Sequence, residues 1–263
     1  MAEAEEHTVY LLRARQIGLR LAELHKALAS SADDANFAPE PTTAADLTFW
    51  TDELLRSAER AFEQLERRMA DLHESAQGLA AALLGRRDEV MRRIRDFLPP
   101  DLAGLKIRHH GDLHLGQILI VKDDVFIVDF EGEPERSIEA RRQKAPAARD
   151  VAGLIRSIDY AGVAALDRVV EGPSEERARL TEAVNAWREL CVEAALQTYR
   201  ETMADHAIWP VDQDETARLL DFFVLEKAIY EIGYELSNRP AWLHVPLTGV
   251  WRLLFGKEVR TDG

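Results

Sequence analysis

The sequence has a single cysteine, Cys191, and no long apolar run, and these two shortages limit the class of protein. One cysteine cannot form an internal disulfide, which argues against a disulfide-stabilised secreted fold. The acidic start, MAEAEEHT, lacks the basic and then apolar segments of a signal peptide, so we expect a cytoplasmic location. No uninterrupted apolar stretch approaches the roughly 18 residues that span a bilayer, so we expect no membrane role.

Basic residues are outnumbered by acidic ones. Lysine and arginine total 33 against 47 aspartates and glutamates, which gives a formal net charge of -14. Phosphate backbones and anionic lipids are bound by clustered lysine and arginine, so this balance argues against a nucleic-acid or membrane-surface partner. With 46% hydrophobic residues over 263 positions, the chain can bury a sizeable core.

Most of the chain has the spacing of helices. Apolar residues recur at close to helical intervals over 10–28, and 46–98 predicts two or three helices, with Gly78 and Gly85 as the expected interruptions. Towards the C-terminus the segment EGPSEE predicts a turn and a helix cap. Around it the pattern predicts helices at 150–170, 175–207 and 212–238.

The middle of the chain has a different pattern. QILIV and VFIVDF are short runs rich in β-branched residues, and KDD separates them, which is typical of a β-hairpin. Asp123 and Asp124 are predicted turn residues, because aspartate bonds readily to nearby backbone. The sequence therefore predicts a mostly α fold with one small β-hairpin near its centre.

The stretch HHGDLHLGQILIVKDDVFIVDFEGEP, residues 109–134, concentrates side chains suited to catalysis around this hairpin. Asp112 ends the tight sequence His-Gly-Asp, Gln117 follows it by five residues, and Asp129 comes after the second strand. A carboxylate on such a loop can accept a hydrogen bond from a substrate hydroxyl. Amide and carboxylate oxygens are the ligands that Mg²⁺ prefers.

The three histidines of this stretch, His109, His110 and His114, leave a zinc hydrolase as an alternative. Their positions, adjacent and four or five apart on a loop leading into a strand, do not supply a clear tetrahedral ligand set. Backbone hydrogen bonds that fix the loop are the simpler role for His110.

The spacing of Asp112, Gln117 and Asp129 follows the order of the catalytic loop and metal-binding aspartate of kinases. HGDLHLGQ with VDFEGEP resembles the aminoglycoside-phosphotransferase-like kinases, and within them the maltokinases, which occur alone or fused to trehalose synthase. The resemblance covers nearly the whole chain, since three other segments also look like maltokinase sequence: RQIGLRLAELHKALAS, RRQKAPAARDVAGLIRSIDYA and EKAIYEIGYELSNRPAWLHVPL.

This resemblance implies a fold and a reaction. The fold would be the C-terminal lobe of a protein-kinase-like fold, with the N-terminal nucleotide lobe absent, because 1–98 carries no strand–glycine–strand pattern. The reaction would be ATP-dependent phosphorylation of maltose to maltose 1-phosphate. The implied partners are maltose or a related saccharide, a trehalose synthase domain, and ATP bound through the missing N-terminal lobe. The alternatives are a non-catalytic sugar-binding or scaffold module, and a related aminoglycoside-type phosphotransferase.

The resemblance also implies residue roles. Asp112 would be the catalytic base with His110 beside it, and Mg²⁺ would be held by Gln117, Asp129 and Glu131. Glu131 could instead contact a water or cap the following turn. Arg149 and Asp150 are expected to support the catalytic loop as a pair, with a direct phosphate contact by Arg149 as the alternative.

The acceptor is expected on helix 212–238, where one apolar stripe should pack and the opposite face should be open. Sugars are bound by aromatic platforms and planar polar groups, although a solvated charged face is the plainer interpretation. The predicted substrate-binding residues are Lys227, Tyr230, Glu231, Tyr234, Glu235, Asn238, Arg239 and Trp242. With these, 1–263 is interpreted as one lobe made of a helical subdomain (1–98), a catalytic loop and hairpin (99–135), and a helical acceptor-binding part (136–263).

Overall fold

The computed structural model describes residues 8–31, 33–134, 136–167, 174–210 and 212–256. The described chain is mostly helical with two small antiparallel sheets, which confirms the predicted fold class at this level. In chain order the elements are α1 (Thr8–Leu28), β1 (Glu40–Pro41), α2 (Ala44–Arg68), α3 (Glu74–Leu84), α4 (Arg87–Arg95), β2 (Leu105–Lys106), β3 (Ile118–Val121), β4 (Asp124–Ile127), α5 (Ile138–Arg142), α6 (Ala148–Asp167), α7 (Ser174–Met203), α8 (Gln213–Asn238) and α9 (His244–Phe255).

The chain divides into two compact units, each assembled from two segments of sequence. The first contains the residues up to Pro41 and Gly104–Gln213, and the second contains Thr42–Ala103 and the residues from Asp214 onward. The division into 1–98, 99–135 and 136–263 stays a prediction.

In the first unit, helix α1 packs along α7, and α7 packs against α6. The predicted hairpin is present, with Ile118 paired to Ile127 and Val121 paired to Asp124. It contacts α1, where the guanidinium of Arg20 donates to both carboxylate oxygens of Asp124, at 2.9 and 2.6 Å. Asp124 is therefore the first residue of β4 and a partner of α1, and it also accepts the N–H of Val125 at 2.7 Å, the local backbone bond expected of an aspartate at the turn.

In the second unit, α2 packs against α3 and α4, and α9 packs against α3. Aromatic side chains of α8 fill its core: the rings of Phe223 and Trp50 lie 5.6 Å apart between centroids, and those of Phe222 and Phe97 lie 6.1 Å apart. Helix α8 is buried over most of its circumference, because its apolar residues lie on several faces.

The helix predictions hold with local exceptions. Gly85 ends α3 as expected, but Gly78 lies inside α3 and interrupts nothing. Helix α9 was not predicted. The acidic start, the end of the helix predicted at 150–170 and the first half of EGPSEE lie outside the described residues. Within the described ranges, no helix has the length and apolar character needed to cross a membrane.

Candidate active site

The loop at residues 109–112 is held by a carboxylate from helix α6. Asp150 accepts a hydrogen bond from the backbone N–H of His110 at 2.7 Å through Oδ2, and from that of Gly111 at 2.9 Å through Oδ1. Gly111 has a φ of 87°, a left-handed conformation in which a Cβ is unfavourable. The carboxylate and the glycine together set the direction in which the chain leaves toward Asp112.

Asp150 is a buried, ionised group. Its burial alone would raise its pKa, but the hydrogen bond from His25, the nearby His109 and the N–H of Gly111 outweigh this effect and hold the pKa of Asp150 well below its usual range. Charge-assisted hydrogen bonds are stronger than neutral ones, so the loop is bound to a permanent charge.

The imidazole of His110 links this loop to the end of the hairpin. Its Nδ1 accepts the backbone N–H of Asp112 at 3.3 Å, and its Nε2 lies 2.9 Å from the carbonyl oxygen of Val128, to which it donates. These two partners assign the tautomer that carries its proton on Nε2. The ring of His110 is buried against Phe130, with centroids 5.1 Å apart, so it bridges the loop and the residues that follow β4.

Helix α6 also supports the loop from Leu113 onward. A Cβ added at Gly153 would lie 2.5 Å from the carbonyl oxygen of Leu113, so only glycine permits this approach. Ser157, one turn further along the helix, accepts the backbone N–H of Leu115 through its hydroxyl at 2.8 Å. Sequence analysis missed both residues, and their only signal is a small and a hydroxyl residue four apart on one helix face.

Gln117 and Asp129 are in direct contact. The side-chain Nε2 of Gln117 donates to Oδ2 of Asp129 at 2.8 Å. The backbone carbonyl oxygen of Gln117 accepts the N–H of Val128 at 3.0 Å. Asp129 is exposed and adopts a φ of 67°, which aspartate tolerates better than most residues. The hairpin thus brings together two side chains that sequence analysis assigned to a metal.

The two halves of the candidate site lie close to each other. A Cβ at Gly111 would be 3.5 Å from the Cα of Gly132, so the loop that carries Asp112 lies beside the segment that carries Asp129 and Glu131. Glu131 itself is exposed.

The residues present fit a magnesium ion better than zinc. Mg²⁺ is commonly held by one or two carboxylates together with substrate phosphates, and Asp129 with Gln117 offers oxygen ligands of this kind. Among the residues that the structure describes, no group of three or more histidine, cysteine, aspartate or glutamate side chains could hold a metal ion. His114 accepts the N–H of Gly116 through Nδ1 at 3.0 Å, so His114, like His110, serves backbone groups.

At the start of the loop, burial and the positive charges of Arg149 and Arg108 lower the pKa of His109 to about 4, although the negative charge of Asp150 acts to raise it. His109 is therefore neutral at physiological pH. Arg149 is partly buried in the first turn of α6, beside Asp150 in the chain.

The predicted acceptor residues all belong to the second unit, whereas Asp112, Gln117 and Asp129 belong to the first. The expectation that one face of this helix is open is wrong for two carboxylates, since Glu231 and Glu235 are 7% and 0% exposed. Arg239 binds Glu235 through two hydrogen bonds, of 2.6 and 3.1 Å, which compensates the burial of that charge.

Aromatic rings surround the guanidinium of Arg239. It lies 5.4 Å from the centroid of Tyr234 and 5.3 Å from that of Trp242, within the range of cation–π attraction. The remaining members of the predicted set are nearby in the chain: the ammonium of Lys227 lies 5.0 Å from the ring of Tyr230, and Asn238 donates to the carbonyl oxygen of Tyr234 at 2.9 Å.

Comparisons with known proteins place the chain beside sugar kinases. No protein-family model matches it. It is 29% identical over 235 residues to a glucosamine kinase from Mycolicibacterium smegmatis, which covers 88% of this chain and 50% of that protein. It is 30% identical over 238 residues to a glucosamine kinase from Streptacidiphilus jiangxiensis, which covers 90% of this chain and 48% of that protein. The chain thus spans about half the length of the curated relatives it matches.

Solved structures give the same result. A glucosamine kinase in complex with glucosamine, ADP and inorganic phosphate is similar with a TM-score of 0.70 at 28% identity, over 93% of this chain and 55% of that one. A second crystal form of a glucosamine kinase has a TM-score of 0.72 at 27% identity, over 93% and 51% of the two chains.

These matches correct the assignment made from sequence motifs. The identification as a maltokinase of the aminoglycoside-phosphotransferase-like type is wrong, because the curated and the solved relatives are glucosamine kinases. The predicted partners, namely maltose, a trehalose synthase domain and ATP held through a missing N-terminal lobe, are wrong on the same finding, because the solved relative is a complex with glucosamine, ADP and inorganic phosphate.

Proposed function

We propose that the chain carries the catalytic residues of an ATP-dependent kinase that phosphorylates glucosamine. The observation that carries this proposal is the match to glucosamine kinases over about nine-tenths of the chain. The loop that presents Asp112 supports it, because a carboxylate beside an oxygen-rich pair suits phosphoryl transfer to a hydroxyl.

In the proposed reaction, Asp112 accepts a hydrogen bond from the acceptor hydroxyl and orients its oxygen toward the γ-phosphorus of ATP. A new bond forms between the sugar oxygen and phosphorus, and the bond between phosphorus and the oxygen bridging to ADP breaks. The hydroxyl proton passes to Asp112. His110 and Asp150 keep this loop in place, since both bind its backbone.

Gln117 and Asp129 are the proposed holders of Mg²⁺, with Glu131 as a further candidate. When bound, the ion neutralises charge on the phosphates. Asp129 and Gln117 are already in contact through the Nε2 of Gln117, so the amide would turn over to present its oxygen beside the carboxylate.

We expect Asp129→Asn to lower activity mainly by weakening metal binding. The change removes a charge from an oxygen ligand, so the Mg²⁺ concentration for half-maximal rate should rise, and the rate should recover in part at high Mg²⁺. The assay is a magnesium titration of the full-length enzyme. Asp123→Asn, the same change in the turn of the same hairpin, is the control and should titrate like the parent. An unchanged magnesium dependence in Asp129→Asn would remove Asp129 from the metal site.

For the acceptor we propose the cluster around Arg239 in the second unit. Tyr234 and Trp242 offer aromatic faces for the sugar ring, while Glu231 and Glu235, which are 7% and 0% exposed, support the cluster from within rather than contact the sugar. Lys227, Tyr230 and Asn238 complete the proposed set.

Trp242→Ala is expected to raise the KM for glucosamine by about 5- to 30-fold, which corresponds to the loss of one or two kcal/mol of stacking. The KM for ATP should stay within about two-fold, because the change affects only the proposed sugar platform. Phe49→Ala removes an exposed aromatic ring elsewhere in the same unit and serves as the control. Equal effects of the two variants on the KM for glucosamine would exclude Trp242 from the acceptor site.

The proposed function is tested by the rate of ADP release from ATP with different sugars in the full-length enzyme. Glucosamine should give the highest kcat/KM, with glucose, N-acetylglucosamine and maltose well below it. A preference for maltose or glucose, or no sugar-dependent ADP release, would contradict the proposal.

A further inference from the structure

Behind Asp150 lies a buried chain of hydrogen bonds that no role described so far requires. The Nε2 of His25, in helix α1, lies 3.1 Å from Oδ2 of Asp150, and its Nδ1 lies 2.7 Å from the hydroxyl of Tyr199, in helix α7. His25 is 0% exposed and Tyr199 is 1% exposed. Three helices thus contribute one side chain each to a hydrogen-bonded row in the core, and we call the row of Tyr199, His25 and Asp150 the polar line.

The direction of the line follows from its acidic end. Asp150 is ionised and can only accept, so Nε2 of His25 donates to it. In a neutral imidazole Nδ1 then accepts the hydroxyl proton of Tyr199. Burial, with the nearby charge of Asp150, raises the pKa of Tyr199 well above its ordinary value, so this hydroxyl keeps its proton.

A polar line of this kind is costly to bury unless every member is satisfied, and apolar residues would fill the same space without that requirement. Its acidic end is the carboxylate that accepts the N–H groups of His110 and Gly111. Oδ2 of Asp150 is shared between His25 and the N–H of His110, so a change at His25 acts directly on the loop.

We infer that His25 and Tyr199 are positioning residues for phosphoryl transfer: they fix the carboxylate of Asp150, which fixes the loop that presents Asp112. The kinetic part of this inference rests on the proposed function, whereas the structural part does not. The competing explanation is that both residues only fill the core.

Amide hydrogen exchange separates these explanations in the full-length protein. His25→Leu replaces the imidazole with an apolar side chain of similar size and so removes the N–H that donates to Asp150. The N–H groups of His110 and Gly111 should then exchange about ten-fold faster or more. Tyr199→Phe should have a smaller effect in the same direction, and it keeps the inference testable if His25→Leu does not fold. His25→Gln, whose amide can reach the position of Nε2, should restore much of the protection.

Leu21→Ala is the matched control, because Leu21 is 1% exposed in the same helix and its aliphatic side chain can make no hydrogen bond. It should lower the melting temperature without selective loss of protection at His110 and Gly111. Equal protection in His25→Leu and the parent, or the same selective loss in Leu21→Ala, would overturn the inference.

The kinetic counterpart uses the same variants. With glucosamine and ATP, kcat of His25→Leu should fall by about ten-fold or more while both KM values change by less than about two-fold. His25→Gln should recover part of kcat, and Leu21→Ala should keep it. A raised KM at unchanged kcat would overturn the positioning role. A parent without glucosamine kinase activity would refute the proposed function, and the exchange experiment would still test the hydrogen-bond line.

Discussion

Asp112→Asn should reduce kcat for glucosamine phosphorylation by about 10²- to 10⁴-fold, the usual contribution of a positioned base. The amide keeps the size of the side chain but removes the charge that orients the hydroxyl and accepts its proton. The KM for ATP should change little, and high Mg²⁺ should not restore the rate, which distinguishes this variant from Asp129→Asn. The measurement is a steady-state comparison in the full-length enzyme.

The control for Asp112→Asn is Asp101→Asn, the same chemical change at an exposed position of the second unit. It should leave kcat and both KM values at parental levels. If Asp112→Asn retained near-parental kcat, the assignment of the catalytic base would be wrong, even if the protein proved to be a glucosamine kinase.

Gly153→Ala should damage both stability and activity, although alanine is the better helix former. The added Cβ would lie 2.5 Å from the carbonyl oxygen of Leu113, a backbone atom that cannot turn away, so helix α6 and the loop that carries Asp112 must separate. Overpacking of this kind typically costs about 1–3 kcal/mol, and a shift of about 1 Å in a catalytic group can cost about 100-fold in rate. Thermal unfolding and kcat are the two measurements.

Gly78→Ala gives the matched control for Gly153→Ala. Gly78 also lies inside a helix, but a Cβ there would meet nothing within 4 Å. Helix propensity alone should then act and stabilise the protein by about 0.5–1 kcal/mol without changing kcat. If Gly153→Ala were stabilised to the same degree at full activity, the loop and the helix would not be in the tight contact that the structure shows.

The hairpin could be predicted because its signals are local. QILIV and VFIVDF flank a short polar turn, and the contact between Gln117 and Asp129 follows from their positions on either side of that turn. The anchoring of the loop could not be predicted in the same way. Nothing in the sequence around Gly153 and Ser157 distinguishes them from other helix residues. Their contacts with Leu113 and Leu115 exist only in the folded protein.

Local interactions explain where the predictions for the helices near the C-terminus failed. The spacing of Glu231 and Glu235 favoured an open face, but Glu235 is buried because Arg239, one turn later, neutralises its charge. Helix α9 was missed because its sequence contains Pro246 and Gly249, which usually argue against a helix. Pro246 lies in the first turn, where a backbone N–H has no intrahelical partner, so the helix tolerates it.

The acceptor was predicted wrongly for a chemical reason. Asp112, Gln117 and Asp129 suit phosphate and metal chemistry, and such residues do not distinguish one sugar from another. Specificity depends on groups that contact the sugar, and the predicted set around Arg239 contains aromatic and acidic side chains that would suit maltose as well as glucosamine. The likeness to glucosamine kinases along the chain carried information that the motif did not.

The most direct test of this account identifies the product formed by the full-length enzyme from glucosamine and ATP, with Asp112→Asn in parallel. The account predicts a monophosphorylated glucosamine with its amine unmodified, formed in equal amount with ADP, and at least about 100-fold less of it per unit time with Asp112→Asn. Phosphate on the amine, no phosphorylated glucosamine from the parent, or equal yields from the two proteins would contradict it.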